Sequence, residues 1–117
     1  MKTPSTAREL AARHCAPMEG QRAHDAAWVE AQLAELPGWQ HRDGTLERRF
    51  AFRDYHETLA FVNALAWMVH GEDHHPDLQV SYNRCTVRWN THSVGGLSDN
   101  DFICAAKTDA IFARSGA

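Results

Sequence analysis

Residues 76–90 read PDLQVSYNRCTVRWN, and apolar and polar side chains alternate along two short runs within them. The apolar positions are Leu78, Val80 and Tyr82 in the first run and Cys85, Val87 and Trp89 in the second. A period of two is typical of strands that bury one face and leave the other in water. Because Asn83-Arg84 separates the runs, the stretch predicts a β-hairpin.

A helical pattern precedes this hairpin, over residues 54–72. Its apolar side chains recur mostly at three- and four-residue steps, which is typical of an amphipathic helix. They are Leu59, Phe61, Val62, Leu65, Met68 and Val69. Gly71 weakens the last turn and Pro76 prevents the helix from continuing. The change of period at this proline therefore divides a helix from a sheet.

Shorter signals complete the order of elements. Residues 25–36 predict a helix that ends at Pro37-Gly38. Asp43-Gly44 predicts the turn of a first hairpin, and Arg48 takes an inward position in the second strand of that hairpin. Ser98 and Asp101 form a capping-box-like start to a last helix. The order α-β-β-α-β-β-α predicts an α+β fold with helices over one face of antiparallel hairpins.

Length and composition restrict the class of protein. The 117 residues fit one domain, and the net charge of −3 with no basic stripe argues against direct nucleic-acid binding. No apolar run reaches the roughly 18–20 residues of a membrane span, and the start lacks a signal-peptide pattern. Three widely spaced cysteines indicate a reducing cytoplasm rather than a disulfide framework. Residues 1–22 predict a loosely ordered tail before a domain of residues 23–117.

Eight histidines are many for this length, and three fall within residues 69–76. His70 and His74 share a helix face if the last turn holds. Surface or capping histidines are the simplest interpretation. Metal binding is disfavoured, since Gly71 stands where an HExxH motif has glutamate. General acid–base catalysis is the remaining hypothesis, because imidazole titrates near neutral pH.

Several short sequence motifs, taken together, resemble those of the pterin-4a-carbinolamine dehydratase family. They are Glu72-Asp73-His74-His75-Pro76, Tyr82, Thr91-His92, Gly96-Leu97-Ser98 and Asp101. Five residues lie between Pro76 and Tyr82, nine between Tyr82 and His92, and eight between His92 and Asp101. The resemblance extends from Gly38-Trp39 to about Phe112.

This resemblance implies a four-stranded antiparallel sheet with three helices on one face. It also implies dehydration of 4a-hydroxytetrahydropterin (4a-hydroxytetrahydrobiopterin) to quinonoid dihydropterin and water. This reaction recycles the pterin of aromatic amino acid hydroxylases, and the resemblance implies that it uses no metal and no organic cofactor. Family members are homodimers or homotetramers, and a hydroxylase is a further implied partner. The alternative is a protein-binding regulator, since animal members also act as dimerisation cofactors of a transcription factor.

The resemblance also implies roles for individual residues. The catalytic set is His74, His75 and His92. The substrate-binding set is Asp73, His74, His75, Asn90, Thr91, His92 and Ser93, and the supporting set is His70 and Asp101. His70 stands where the family often has a carboxylate. Asp101 has an alternative interpretation, in which it fixes only the start of the last helix.

Overall fold

The computed structural model describes residues 3–116. In chain order the elements are α1 (Ala7–Ala11), α2 (Ala26–Leu33), β1 (Gln40–Arg42), β2 (Thr45–Ala51), α3 (Tyr55–Glu72), β3 (Asp77–Ser81), β4 (Arg84–Trp89), a 3-10 turn (His92–Val94) and α4 (Asp99–Arg114). No helix in this described range is long and apolar enough to cross a bilayer.

The four strands form one antiparallel sheet in the order β1-β2-β4-β3. Phe50 of β2 pairs with Cys85 of β4, and Val80 of β3 pairs with the same Cys85 on its other side. The central pair β2-β4 therefore joins the two hairpins that the alternation predicts. The predicted α+β class and the four-stranded antiparallel sheet are confirmed.

One face of the sheet is buried against the helices. Phe50, Val87 and Trp89 are at most 1% exposed, and they share one apolar cluster with Phe61 of α3 and Phe102 of α4. The alternate positions on the central strands carry polar or small side chains and are half-buried or exposed. The helices thus cover one face of the central strands. They leave β3 uncovered, because Leu78 and Val80 are 39% and 41% exposed, so the predicted burial of one face of this strand is wrong.

Arg48 interrupts the alternation of β2, and its surroundings explain why. The side chain points inward, with its guanidinium 2.7 Å from Asp109 Oδ1 and 4.6 Å from the centre of the Phe50 ring. Trp39 Nε1 donates to the same carboxylate at 2.9 Å. A Cβ on Gly38 would lie 2.6 Å from Arg48 Cζ, so the glycine makes room for the guanidinium. Burial raises the pKa of Asp109, while Arg48 and Trp39 oppose that rise.

Part of the predicted N-terminal tail, residues 1–22, forms a short helix that packs against the domain. Thr6 caps α1 through a capping box, and Leu10 is 1% exposed. Lys107 Nζ donates to the Ala11 carbonyl at 2.9 Å, which ties α1 to α4. A five-residue helix carries too little periodicity to be recognised, and one buried leucine with polar anchors is enough to dock it. Met1 and Lys2 lie outside the described residues.

Candidate active site

The His74 loop, residues 73–76, begins where α3 ends. Asp73 adopts a left-handed conformation, with φ 52° and ψ 42°, and its N–H donates to the Val69 carbonyl at 2.9 Å. Aspartate tolerates this conformation better than most residues. The chain therefore leaves the helix before His74.

His70 consequently does not share a helix face with His74. Its side chain is exposed, and it makes no hydrogen bond or ion pair with any residue of the 3–116 range. The prediction of a shared face is wrong because it required the helix to continue for two more residues, through His74, whereas α3 ends at Glu72. The geometry gives His70 no supporting contact to the other predicted site residues.

Asp101 lies at the third position of α4 and is fully buried. Its Oδ2 accepts from the Ser98 backbone N–H at 2.9 Å and from Thr91 Oγ1 at 2.7 Å. Its Oδ1 lies 2.7 Å from His74 Nε2. Asp101 therefore caps the helix and also contacts His74, so it does more than fix the start of α4, and its supporting role in a reaction stays a prediction.

The His74 ring is fixed on a second side by Trp89. The two rings are stacked, with centroids 5.4 Å apart and planes inclined by 13°. The His74 side chain is 12% exposed. Because a carboxylate only accepts, Nε2 is the donor to Asp101, which leaves Nδ1 for another ligand. Sequence reasoning assigned Trp89 to the core, and its contact with the histidine has no local sequence signal.

Thr91 brings a second chain segment to the same carboxylate. This segment, residues 90–94, is the His92 turn, and the Thr91 side chain in it is buried between Ser98 and Asp101. The shared carboxylate therefore places the His74 loop beside the His92 turn. His75 and His92, the next residue in each segment, are exposed.

The remaining predicted substrate residues lie around this junction. Asp73 and Ser93 are exposed, and Asn90 is half-buried, with Nδ2 at 3.4 Å from Thr45 Oγ1. Their role toward a ligand stays a prediction. Within residues 3–116 no group of three His, Cys, Asp or Glu side chains is arranged to hold a metal ion.

Glu72 anchors the base of the His74 loop to the N-terminal segment. Its Oε1 accepts from the Cys15 N–H at 2.7 Å, and its Oε2 lies 2.8 Å from His14 Nδ1 and 3.6 Å from Lys107 Nζ. Burial raises the pKa of Glu72, but the hydrogen bonds from Cys15 and His14 and the charge of Lys107 outweigh it and hold the pKa below its usual value. Sequence reasoning missed this anchor because it treated the first residues as loose.

A separate apolar groove of about 700 Å³ lies between α3 and α4. It is lined in part by Ala60, Ala64, Trp67 and Ile111, and by none of the predicted site residues. The groove is therefore distinct from the site around the contact between His74 and Asp101.

Comparison with known proteins identifies the family of the chain. A family model described as pterin 4 alpha carbinolamine dehydratase matches residues 22–111. The chain belongs to this family. The match includes the His74 loop, the His92 turn and Asp101, and it makes the chain an enzyme of the hydro-lyase class.

Relatives and solved structures support the membership. The chain is 56% identical over 108 residues to a pterin-4-alpha-carbinolamine dehydratase of Stenotrophomonas maltophilia. The match covers 87% of this chain and 90% of that relative. It is 48% identical over 109 residues to a pterin-4-alpha-carbinolamine dehydratase of Nitrosospira multiformis, and this match covers 92% of this chain and 96% of that relative. A crystal structure titled transcriptional coactivator/pterin dehydratase, from Brucella melitensis, matches with TM-score 0.74 and 32% identity, covering 77% of this chain and 98% of that one.

A more distant structure is similar to part of the fold. Its title describes a pterin dehydratase-like protein as a RuBisCO assembly factor in the alpha-carboxysome. It matches with TM-score 0.53 and 26% identity, over 62% of this chain and 84% of that one.

Proposed function

We propose that this dehydratase converts 4a-hydroxytetrahydropterin to quinonoid dihydropterin and water by histidine general acid–base catalysis, and so recycles the pterin of aromatic amino acid hydroxylases. The observation that carries the proposal is the 2.7 Å contact between His74 Nε2 and the buried Asp101 carboxylate. A buried carboxylate that orients a histidine is a recurring device of acid–base sites. The family membership supplies the substrate class.

The reaction needs two proton movements, and the histidines suit both. Hydroxide is a poor leaving group, so the oxygen on C4a takes a proton as the C4a–O bond breaks and leaves as water. The N5 lone pair forms the new double bond to C4a, and N5 gives up its proton to a base. In our proposal His74 and His92 flank C4a as this acid and base. Each positioned transfer contributes roughly 10²–10⁴-fold to the rate.

Asp101 and Trp89 prepare His74 for this role. The Asp101 carboxylate fixes the tautomer in which Nε2 carries a proton, so Nδ1 exchanges the proton with the substrate. The stacked Trp89 ring restricts rotation of the imidazole. Because these constraints come from buried groups, the ring does not need to reorganise during the reaction.

The exposed neighbours would bind the pterin. We propose that His75 holds the substrate or assists the proton transfer. Asp73, Asn90 and Ser93 would line its polar edge through short side chains and backbone groups. Thr91 acts through its Oγ1 bond to Asp101, since that side chain is buried. A homodimer or homotetramer, a cytoplasmic location and a hydroxylase partner belong to the same proposal.

A second candidate function is a protein-binding regulator. It is favoured by Trp67, which is 79% exposed on α3 beside the apolar groove, because large exposed aromatics mark interaction sites. The titles of the two similar structures name a coactivator and an assembly factor. Measured activity on the carbinolamine discriminates between the two functions.

The experiment is a dehydration assay of the purified chain on freshly generated 4a-hydroxytetrahydropterin, followed by the absorbance of the quinonoid product. We expect acceleration over the spontaneous reaction, lost in His74→Ala and kept in His41→Ala, which changes an exposed histidine on the opposite edge strand β1. A wild-type chain without acceleration would contradict the proposed reaction. Equal loss in both variants would contradict the role of His74.

A further inference from the structure

Two cysteines that are far apart in the chain meet between the N-terminal segment and α4. Cys15 Sγ lies 3.5 Å from Cys104 Sγ, although 89 positions separate them. Neither is part of a disulfide. Cys15 is half-buried, whereas Cys104 is fully buried inside α4. Only one thiol of the pair is therefore open to a solute.

The backbone on both sides of Cys15 is held in place. The Cys15 N–H donates to Glu72 Oε1 at 2.7 Å, and the Ala16 N–H donates to Asn100 Oδ1 at 3.0 Å. Asn100 Nδ2 returns a bond to the Ala16 carbonyl at 2.7 Å. These bonds hold the backbone of Cys15 and Ala16 beside α4, where the thiol of Cys15 contacts that of Cys104.

We propose that Cys15 and Cys104 form an oxidation site for small peroxides, in which the two thiols become a disulfide that fastens the N-terminal segment to α4. The proposal does not depend on the dehydratase reaction. It rests on the proximity of the two sulfur atoms, their unequal exposure and the fixed backbone of Cys15.

The reaction balances with hydrogen peroxide as the oxidant. The Cys15 sulfur attacks the O–O bond, which yields a sulfenic acid on Cys15 and one water. The Cys104 sulfur then attacks the Cys15 sulfur, the S–O bond breaks, and the departing hydroxide takes the Cys104 proton as a second water. Two thiols lose two electrons in total, and one peroxide gains them.

Burial and charge assign the order of the two steps. The hydrogen bond with Cys15, burial and the nearby charges of Glu72 and Asp101 raise the pKa of Cys104, so this thiol stays protonated. Peroxide reaches Cys15 first, because Cys15 is half-buried whereas Cys104 is fully buried. The sulfur atoms then need to close from 3.5 Å to about 2.0 Å, and Cys15 lies between α1 and α2 rather than inside a helix.

Cys85 is the internal control for this chemistry. It is 0% exposed on β4, and burial raises its pKa to about 11. It has no sulfur partner among the described residues. We therefore expect it to remain a thiol under conditions that oxidise the other two.

The resulting bond would join residues that lie 89 positions apart in a chain of 117 residues and so close a long loop. A cross-link between residues this distant in sequence removes conformational freedom from the unfolded chain. We expect the thermal midpoint of the oxidised protein to rise by at least about 5 °C over the reduced protein.

The test uses the full chain, reduced, desalted and then treated with hydrogen peroxide. Thiols are counted in denaturant, and the digested protein is analysed by mass spectrometry. We expect the count to fall from three to one per chain, with a Cys15–Cys104 peptide pair that dithiothreitol separates. Three remaining thiols, sulfinic acid on Cys15 beside a free Cys104, or a Cys15–Cys15 bond between two chains would each overturn the proposal.

Variants separate the two steps. Cys104→Ser should leave Cys15 as a sulfenic acid that dimedone traps, with no rise of the thermal midpoint on oxidation. Cys85→Ser should form the disulfide as the wild type does. If Cys85→Ser does not fold, the peptide map of the wild-type chain still decides the outcome, because it requires no substitution.

Discussion

Asp101 Oδ1 and His74 Nε2 lie 2.7 Å apart, although 27 positions separate the two residues in the chain. The carboxylate is fully buried and its other oxygen accepts from Thr91 and Ser98. One side chain therefore caps α4, orients the histidine and brings the His92 turn beside the His74 loop.

Asp101→Asn should lower kcat at least about a hundredfold, because an amide can donate to Nε2 and so favours the other tautomer of His74. Steady-state kinetics on the carbinolamine measures the loss. Ser98→Ala is the matched control, since it removes the cap and leaves the carboxylate. It should cost about 1 kcal/mol of unfolding free energy with turnover within a few-fold of wild type. An equal loss of turnover in both variants would assign Asp101 to the helix start alone.

His74→Ala and His92→Ala should each lower kcat at least about a hundredfold. The thermal midpoint of His92→Ala should stay near the wild-type value, since His92 is exposed, whereas His74→Ala also removes a partner of the buried Asp101 carboxylate and should lower the midpoint. Kinetics and thermal melts on the same preparations give both values. A variant that keeps full turnover would remove that residue from the proposed catalytic pair.

His70→Ala should keep nearly full activity, and His70→Glu should leave the pH–rate profile unmoved, because His70 is exposed and makes no bond to the site residues described between positions 3 and 116. The profile is measured from pH 5 to 9, in steps of about half a unit. A displaced acid limb in His70→Glu would show that residue 70 acts on the site despite its place on α3.

Trp89→Leu should lower kcat by about tenfold or more, because His74 loses the flat surface against which its ring lies. Trp89→Phe keeps an aromatic face and should lose less. The indole N–H of Trp89 has no partner in the structure, so neither change breaks a hydrogen bond. The control is Trp39→Phe, which breaks the bond to Asp109 and should reduce stability more than turnover. Equal kcat in the Leu and Phe variants would argue against the stacking contact.

Glu72→Gln should destabilise the protein by about 1–3 kcal/mol at pH 7, and this difference should shrink as the pH falls. The folded-state pKa of Glu72 lies below its unfolded value, so its stabilisation is present above the unfolded pKa and is lost as pH drops through the folded pKa. Urea unfolding at pH 7, 5 and 3.5 measures the difference. Glu30→Gln, at an exposed position of α2, is the control with no expected pH dependence. A constant difference for Glu72→Gln would mean that its charge is not responsible.

Leu10→Ala should cost about 2–5 kcal/mol of unfolding free energy, because the side chain is 1% exposed. Leu59→Ala makes the same change at a position that is 36% exposed, and it should cost clearly less. Chemical denaturation of both variants compares them directly. A negligible effect at Leu10 would restore the interpretation of the first residues as a loose tail.

The amino-acid sequence by itself determined the elements and their order, apart from the short helix α1. The period of two over residues 76–90 predicts the β3–β4 hairpin, and the three- and four-residue steps before it predict α3. Asp43-Gly44 predicts the first turn. These signals are local, since each depends on residues within one or two turns of chain. The motif spacing around His74 and His92 also indicated the family without any tertiary information.

Tertiary structure alone decided which side chains meet. The inward position of Arg48 depends on its ion pair with Asp109, and the docking of α1 depends on its contact with α4. The Cys15–Cys104 contact requires the N-terminal segment to lie against α4. His70 shows the opposite case, because α3 ends at Glu72, two residues before His74, and the predicted shared face is therefore absent. Hydrogen bonds and ion pairs depend on ångström-scale approach between distant segments, and no periodicity along the chain encodes that approach.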